Sequence, residues 1–90
     1  MAHTIRDKAK LVARVRRLKG QLEAVERALE AELPCAEVLR QLASARGAMN
    51  GLIGEVIEGH LHDHVLEAGT DEARRQGAEE VIDIIRSYMK

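Results

Sequence analysis

Three of the chain's four histidines fall inside GHLHDH, residues 59 to 64, and its one cysteine, Cys35, directly follows its one proline, Pro34. Imidazole nitrogens and a thiolate are the donors that borderline divalent metals take, so the question is whether these residues can reach one ion. At about 100° per residue on a helix, His60 and His64 share a face one turn apart and continue the stripe Ile53, Ile57, while His62 points to nearly the opposite side. The cluster therefore offers two convergent imidazoles. A helical histidine pair often only caps or packs, so the remaining donors of a metal site must come from elsewhere.

Cys35 falls on nearly the same helix face as the pair, but 25 residues away, about 38 Å along a continuous helix. The three cannot meet within one straight helix. In an antiparallel pairing of two such helices, Cys35 of one protomer lies beside His60 and His64 of the partner subunit, which gives an intersubunit site and, by symmetry, two sites per dimer. Most lone cysteines are small buried hydrophobes. A helix N-terminus, however, favours the thiolate that binds metals and attacks electrophiles. His3 supplies a fourth donor, and after removal of Met1 the amine of Ala2 can chelate with it as the N-terminal arm folds over the site. One thiolate, two or three imidazoles and an amine suit Ni(II), Co(II) or Zn(II), and donors beyond four favour six-coordinate nickel or cobalt.

The elements that must position these groups are helices. Leu11, Val15, Leu18, Leu22, Val25 and Leu29 recur at spacings of four and three, the seam of a heptad, and predict a first helix over about residues 5–31. Val38, Leu42, Ala45, Met49, Leu52 and Val56 repeat that seam from Pro34, which fits the first turn of a second helix. Glycines 47, 51, 54 and 59 weaken this helix without interrupting its apolar period, which reads as close packing. Gly69 and Thr70 mark a loop, and a third helix carries Ala78, Val81, Ile82, Ile85, Tyr88 and Met89 on one face. The fold class is all-α, three helices in a single domain over residues 1–90. Two long seams leave more aliphatic surface than one chain can cover, which implies an antiparallel helical-bundle dimer at least.

Composition narrows the function. With no Phe, no Trp and only Tyr88, the chain lacks platforms for stacking single-stranded bases. A single cysteine excludes an internal disulfide and suits a reducing, cytoplasmic setting. No apolar run reaches the length of a membrane span and the N-terminus lacks a signal-peptide core, so no membrane partner is expected. The net charge of -1 conceals a division: seven of the fourteen basic residues lie within the first twenty positions, with Asp7 the only acid among them. Lys10, Arg14 and Arg17 form a stripe beside the first seam, while Arg16 lies nearly opposite it. A solvated helix face explains such a block, but the block also suits a polyanion such as double-stranded DNA.

RVRRLKGQLEAVERALE (residues 14–30), Cys35, RGAMNGLIGEVIEGHLHDH (residues 46–64) and the closing SYMK together resemble the CsoR/RcnR family of bacterial transcriptional repressors, over essentially the whole chain. The opening MAHTIRDK, with His3, Cys35, His60 and His64, is similar to the nickel- and cobalt-sensing RcnR branch and its DmeR-like relatives. Copper sensors of the family use more cysteine, so a single cysteine argues against copper(I). The formaldehyde-sensing branch, similar to FrmR, is the rival reading: it joins an N-terminal proline amine to the cysteine through a methylene bridge, and Ala2 stands here in place of that proline.

The resemblance implies a homotetramer, a disc-shaped dimer of dimers, whose apo form binds operator DNA. Ni(II) or Co(II) would release it and derepress a metal exporter gene, with Zn(II) sensing or formaldehyde capture by Cys35 and the N-terminal amine as alternatives. It also implies DNA contacts at Arg14, Arg17 and Arg46, in line with the Lys10, Arg14, Arg17 stripe. No helix-turn-helix or zinc-finger pattern is present, so contacts should go mainly to phosphate, with sequence chosen partly through DNA shape. An enzyme using Glu58 or Asp63 beside a metal-bound water is the competing class, and long helices offer it no substrate cleft.

Overall fold

The computed structural model describes residues 3 to 88, apart from the side chain of His3. Ala2 and Met89, both named above, lie outside the described residues. Four α-helices follow in order: α1 (His3–Arg6), α2 (Lys8–Glu30), α3 (Cys35–Leu61) and α4 (Asp71–Tyr88), with a π-helical turn, His62–Leu66, continuing α3. Among the described residues there is no strand, so the all-α expectation holds.

Two departures from three helices are informative. The first expected helix is divided at Asp7 into α1 and α2. Its apolar period begins only at Leu11, so no seam holds residues 3–6 in register with α2, and Arg6 is bonded instead to Asp63. The second helix widens after Leu61: the Glu67 N–H donates to the His62 carbonyl, five residues back, at 3.0 Å. Such widened turns are rare and often stand at functional sites.

Packing divides the chain into two compact units, Lys8–Ile53 on one side and, on the other, the residues up to Asp7 together with those from Gly54 onward. In the first unit Leu18, Val25 and Ala28 of α2 and Ala45 of α3 form the buried core. The α2 seam splits into two rows of seven-residue period. Leu18 and Val25 are buried, whereas Val15, Leu22 and Leu29 are exposed, as are Leu39, Leu42 and Met49 of α3.

Local chemistry explains the ends of the helices. Past Glu30 the Glu32 N–H donates to the Leu29 carbonyl at 3.1 Å and the Leu33 N–H to the Ala28 carbonyl at 3.0 Å, which is the Schellman closure. That closure requires a left-handed residue, and Glu32 fills it with φ 56° where glycine would be unstrained. Pro34 then caps α3: its carbonyl accepts the N–H groups of Glu37 and Val38 at 2.9 and 3.2 Å, which leaves Cys35 as the first helical residue.

In the second unit, Thr70 caps α4 by accepting the Ala73 N–H on its hydroxyl at 3.0 Å, and Asp71 and Glu72 occupy the dipole-favoured first turn. Arg74 ties the preceding loop down through the carbonyls of Val65 at 3.1 Å and Ala68 at 3.4 Å. Val81 and Gly77 of α4 are buried. A Cβ on Gly77 would overlap the backbone carbonyl of His64, so α4 meets the π turn backbone to backbone.

Candidate metal centre and nucleic-acid face

His60, in the last turn of α3, and His64, in the π turn, have ring centroids 4.7 Å apart with planes inclined at 47°. The pair reads as expected from its spacing, even though the helix widens between the two residues. His60 is held by α4. Its Nε2 lies 3.1 Å from the Gly77 carbonyl and 3.7 Å from a carboxylate oxygen of Glu80, and only 16% of its side chain is exposed. A carbonyl can only accept, so Nε2 donates this hydrogen bond, and a metal would be bound through Nδ1.

His62 is turned to solvent, with 55% of its side chain exposed, and its Nδ1 lies 3.1 Å from Asp63. The other Asp63 partner is remote in sequence: Arg6 Nη1 lies 3.1 Å from Oδ1 and 3.0 Å from Oδ2. The hydrogen bond from His62, and then the Arg6 guanidinium, hold the Asp63 carboxyl below the usual carboxylate range, and Asp63 in turn raises Arg6.

Cys35 is a free, exposed thiol at the head of α3. His3 belongs to α1, its side chain outside the described residues. Among the described residues no three His, Cys, Asp or Glu side chains converge on a point that could hold an ion. Among the described side chains, then, the structure brings His60 and His64 together.

The basic residues singled out for DNA are all exposed: Lys10, Arg14 and Arg17 on α2 and Arg46 on α3. The Arg14 guanidinium lies across α3 at Gly51, 3.1 Å from where a Cβ would stand. Arg46 borders a shallow surface recess with Leu39, Leu42 and Ala43. No helix among the described residues is long and apolar enough to cross a membrane.

Sequence reasoning missed Arg6, Gly77 and Glu80. Gly77 and Glu80 stand three residues apart on α4, the spacing of neighbours on one helix face, but nothing in sequence says which histidine that face meets. Arg6 and Asp63 are 57 residues apart, and a single long-range ion pair leaves no periodic trace.

A family model described as "Metal-sensitive transcriptional repressor" matches residues 7–87. An uncharacterised protein in the bioA 5' region of Serratia marcescens is 53% identical over 91 residues, covering all of both chains. The transcriptional repressor RcnR of Escherichia coli K12 is 44% identical over 90 residues, again covering both chains completely. Among solved structures, a glutamate-to-histidine variant of the formaldehyde-responsive regulator FrmR from Salmonella enterica serovar Typhimurium superposes with TM-score 0.82 at 46% identity, over 92% of this chain and 94% of that one. With the all-helical fold and a match over nearly its whole length, this chain belongs to the metal-sensitive transcriptional repressor (CsoR/RcnR) family, whose members are repressors and not enzymes.

Proposed function

We propose that the chain acts as a single DNA-binding and sensing domain: a repressor whose apo form holds operator DNA and which Ni(II) or Co(II) releases, derepressing a metal exporter gene. The pairing of His60 with His64 at 4.7 Å carries this reading. The two rings are close enough that both could bind one ion, which would tie the end of α3 to the π turn. Its anchoring to α4 supports the same reading, because a second hydrogen bond on the far ring nitrogen is how proteins orient a metal-binding histidine.

The proposed site joins Cys35 of one protomer to His60 and His64 of the partner subunit, with His3 added from the N-terminal arm. The exposed rows on α2 and α3 supply apolar surface for a dimer, and pairing two dimers gives the tetramer. When bound, the metal supplies fixed bonds between groups that otherwise move independently. Lys10, Arg14, Arg17 and Arg46 hold the phosphates of double-stranded operator DNA. His60 passes any change in its ring position to α4 through Gly77 and Glu80, and Cys35 passes its own to the head of α3. The two ligands oppose each other, so operator DNA weakens metal binding by the factor by which metal weakens DNA binding.

The exposed Cys35 thiol and the likeness to the FrmR variant favour a second reading, capture of formaldehyde. The thiol and the N-terminal amine would share one methylene carbon, with the aldehyde oxygen leaving as water. Titration of the apoprotein with Co(II) separates the two. Weak d–d bands with a thiolate charge-transfer band support the six-coordinate sensor. Intense d–d bands would move the assignment to tetrahedral Zn(II), and absence of the thiolate band would favour formaldehyde.

A further inference from the structure

α1 is a single helical turn of four residues, too short to hold itself in water. Its last residue, Arg6, spans both carboxylate oxygens of Asp63 from Nη1, at 3.1 and 3.0 Å. Asp63 stands between His62 and His64, and only 10% of its side chain is exposed, so this pair is less screened by solvent than an ordinary surface ion pair. The carboxylate is also oriented by His62 Nδ1 at 3.1 Å, whereas the competing contact of Arg6 with its neighbour Asp7 is longer, 3.7 Å. The backbone of His3 lies one helical turn from this anchor.

We propose that the Arg6–Asp63 pair is a latch that docks the N-terminal arm beside the histidine pair, which makes Arg6 a positioning residue that sets how many donors a bound metal receives. The inference rests on the metal-sensing reading above. With the latch closed, the described turn His3–Arg6 is already held beside Asp63, and donors added from the arm to the thiolate and two imidazoles would give the high coordination number of nickel and cobalt. With the latch open, every bond to the arm must also order residues 3–7, and the four-coordinate arrangement that suits zinc wins. Arg6 thereby becomes a determinant of metal selectivity without touching the metal.

The test compares the unsubstituted protein with Arg6→Ala, Arg6→Lys and Asp63→Asn. In the metal-free proteins, amide hydrogen exchange at residues 5–8 should accelerate in Arg6→Ala and Asp63→Asn. On loading with Co(II), Arg6→Ala should keep the thiolate band of Cys35 while its d–d bands intensify. Ni(II) and Co(II) affinity should fall about tenfold or more, the usual effect of losing a residue that orients ligands, with Zn(II) affinity nearly unchanged. Arg6→Lys keeps the charge but not the planar fork and should fall between the two. Unchanged exchange and an unchanged Co(II) spectrum in Arg6→Ala, with the thiolate band present throughout, would overturn the latch alone. Absence of that band from the unsubstituted protein would overturn the metal-sensing reading and the latch with it.

Discussion

The imidazole of His60 donates from Nε2 to the backbone carbonyl of Gly77 at 3.1 Å, while the backbone of His64 packs against that same glycine. One residue of α4 therefore touches both members of the histidine pair, one by hydrogen bond and one by close approach. Gly77→Ala tests this directly. Helix propensity alone would gain about 1 kcal/mol from the change, but a Cβ overlapping a backbone carbonyl cannot be relieved by a rotamer, and overpacking of this kind costs about 1–3 kcal/mol. The expected outcome is a lower urea midpoint and a Co(II) spectrum altered from that of the parent protein. A midpoint raised by the substitution would mean that α4 does not press on the π turn.

Sensing and DNA binding should separate by mutation. Cys35→Ala is expected to retain apo DNA binding and lose metal-induced release, as followed by fluorescence anisotropy of a labelled operator duplex. Arg14→Ala should retain metal binding and lose DNA affinity, with a shallower dependence on salt. Release of the operator from Cys35→Ala at the parent metal concentration would remove the cysteine from the site. His62→Ala, at an exposed position, removes no proposed ligand and should retain metal-induced release, with a smaller loss of metal affinity than Arg6→Ala because His62 only orients Asp63.

The turn after α2 carries a removable strain. Glu32 sits at φ 56°, where a side chain is disfavoured and glycine is not. Glu32→Gly should raise stability by about 0.5–1 kcal/mol, visible as a higher denaturation midpoint with an unchanged m-value.

The cap of α4 gives the opposite sign. Thr70→Ala removes the acceptor of the Ala73 N–H and should cost about 1 kcal/mol, and Thr70→Ser should recover most of it in a thermal melt.

Acid stability has a contribution from Asp63. Its carboxyl lies below the ordinary value in the folded chain, chiefly through the His62 hydrogen bond and then through Arg6. Such a group stabilises the fold above its unfolded pKa, and that stability is lost as pH falls through the lower folded value. Below about pH 4, the unfolded carboxylate range, the parent should lose stability more steeply than Asp63→Asn, with the two curves parallel near neutrality. Parallel curves throughout the acid range would show that the carboxylate is not held as the geometry implies.

Much of this arrangement was legible in the residues. The seam from Leu11 to Leu29 and the Pro34 start located the end of α2 and the start of α3 to within a residue, because heptad spacing and proline geometry are local properties. The pairing of His60 with His64 was legible for the same reason. The break at Asp7 and the widening at His62 were not, since each accompanies a tertiary contact, Arg6 with Asp63 and Gly77 with His64, whose partners are far apart in sequence. Arg14 and Arg17 could be singled out from charge grouping and from family resemblance, but the placing of the Arg14 guanidinium across Gly51 depends on how α2 meets α3.

The row Val15, Leu22, Leu29 has a further consequence in the cell. In the proposed assembly that row is covered by another copy, so folding becomes a reaction of higher order. Each tenfold rise in protomer concentration would then stabilise a dimer by about 1.4 kcal/mol. The amount of repressor would set its own working fraction: a newly made chain at low copy number stays exposed to proteolysis, and the pool becomes durable only once it is large enough to assemble.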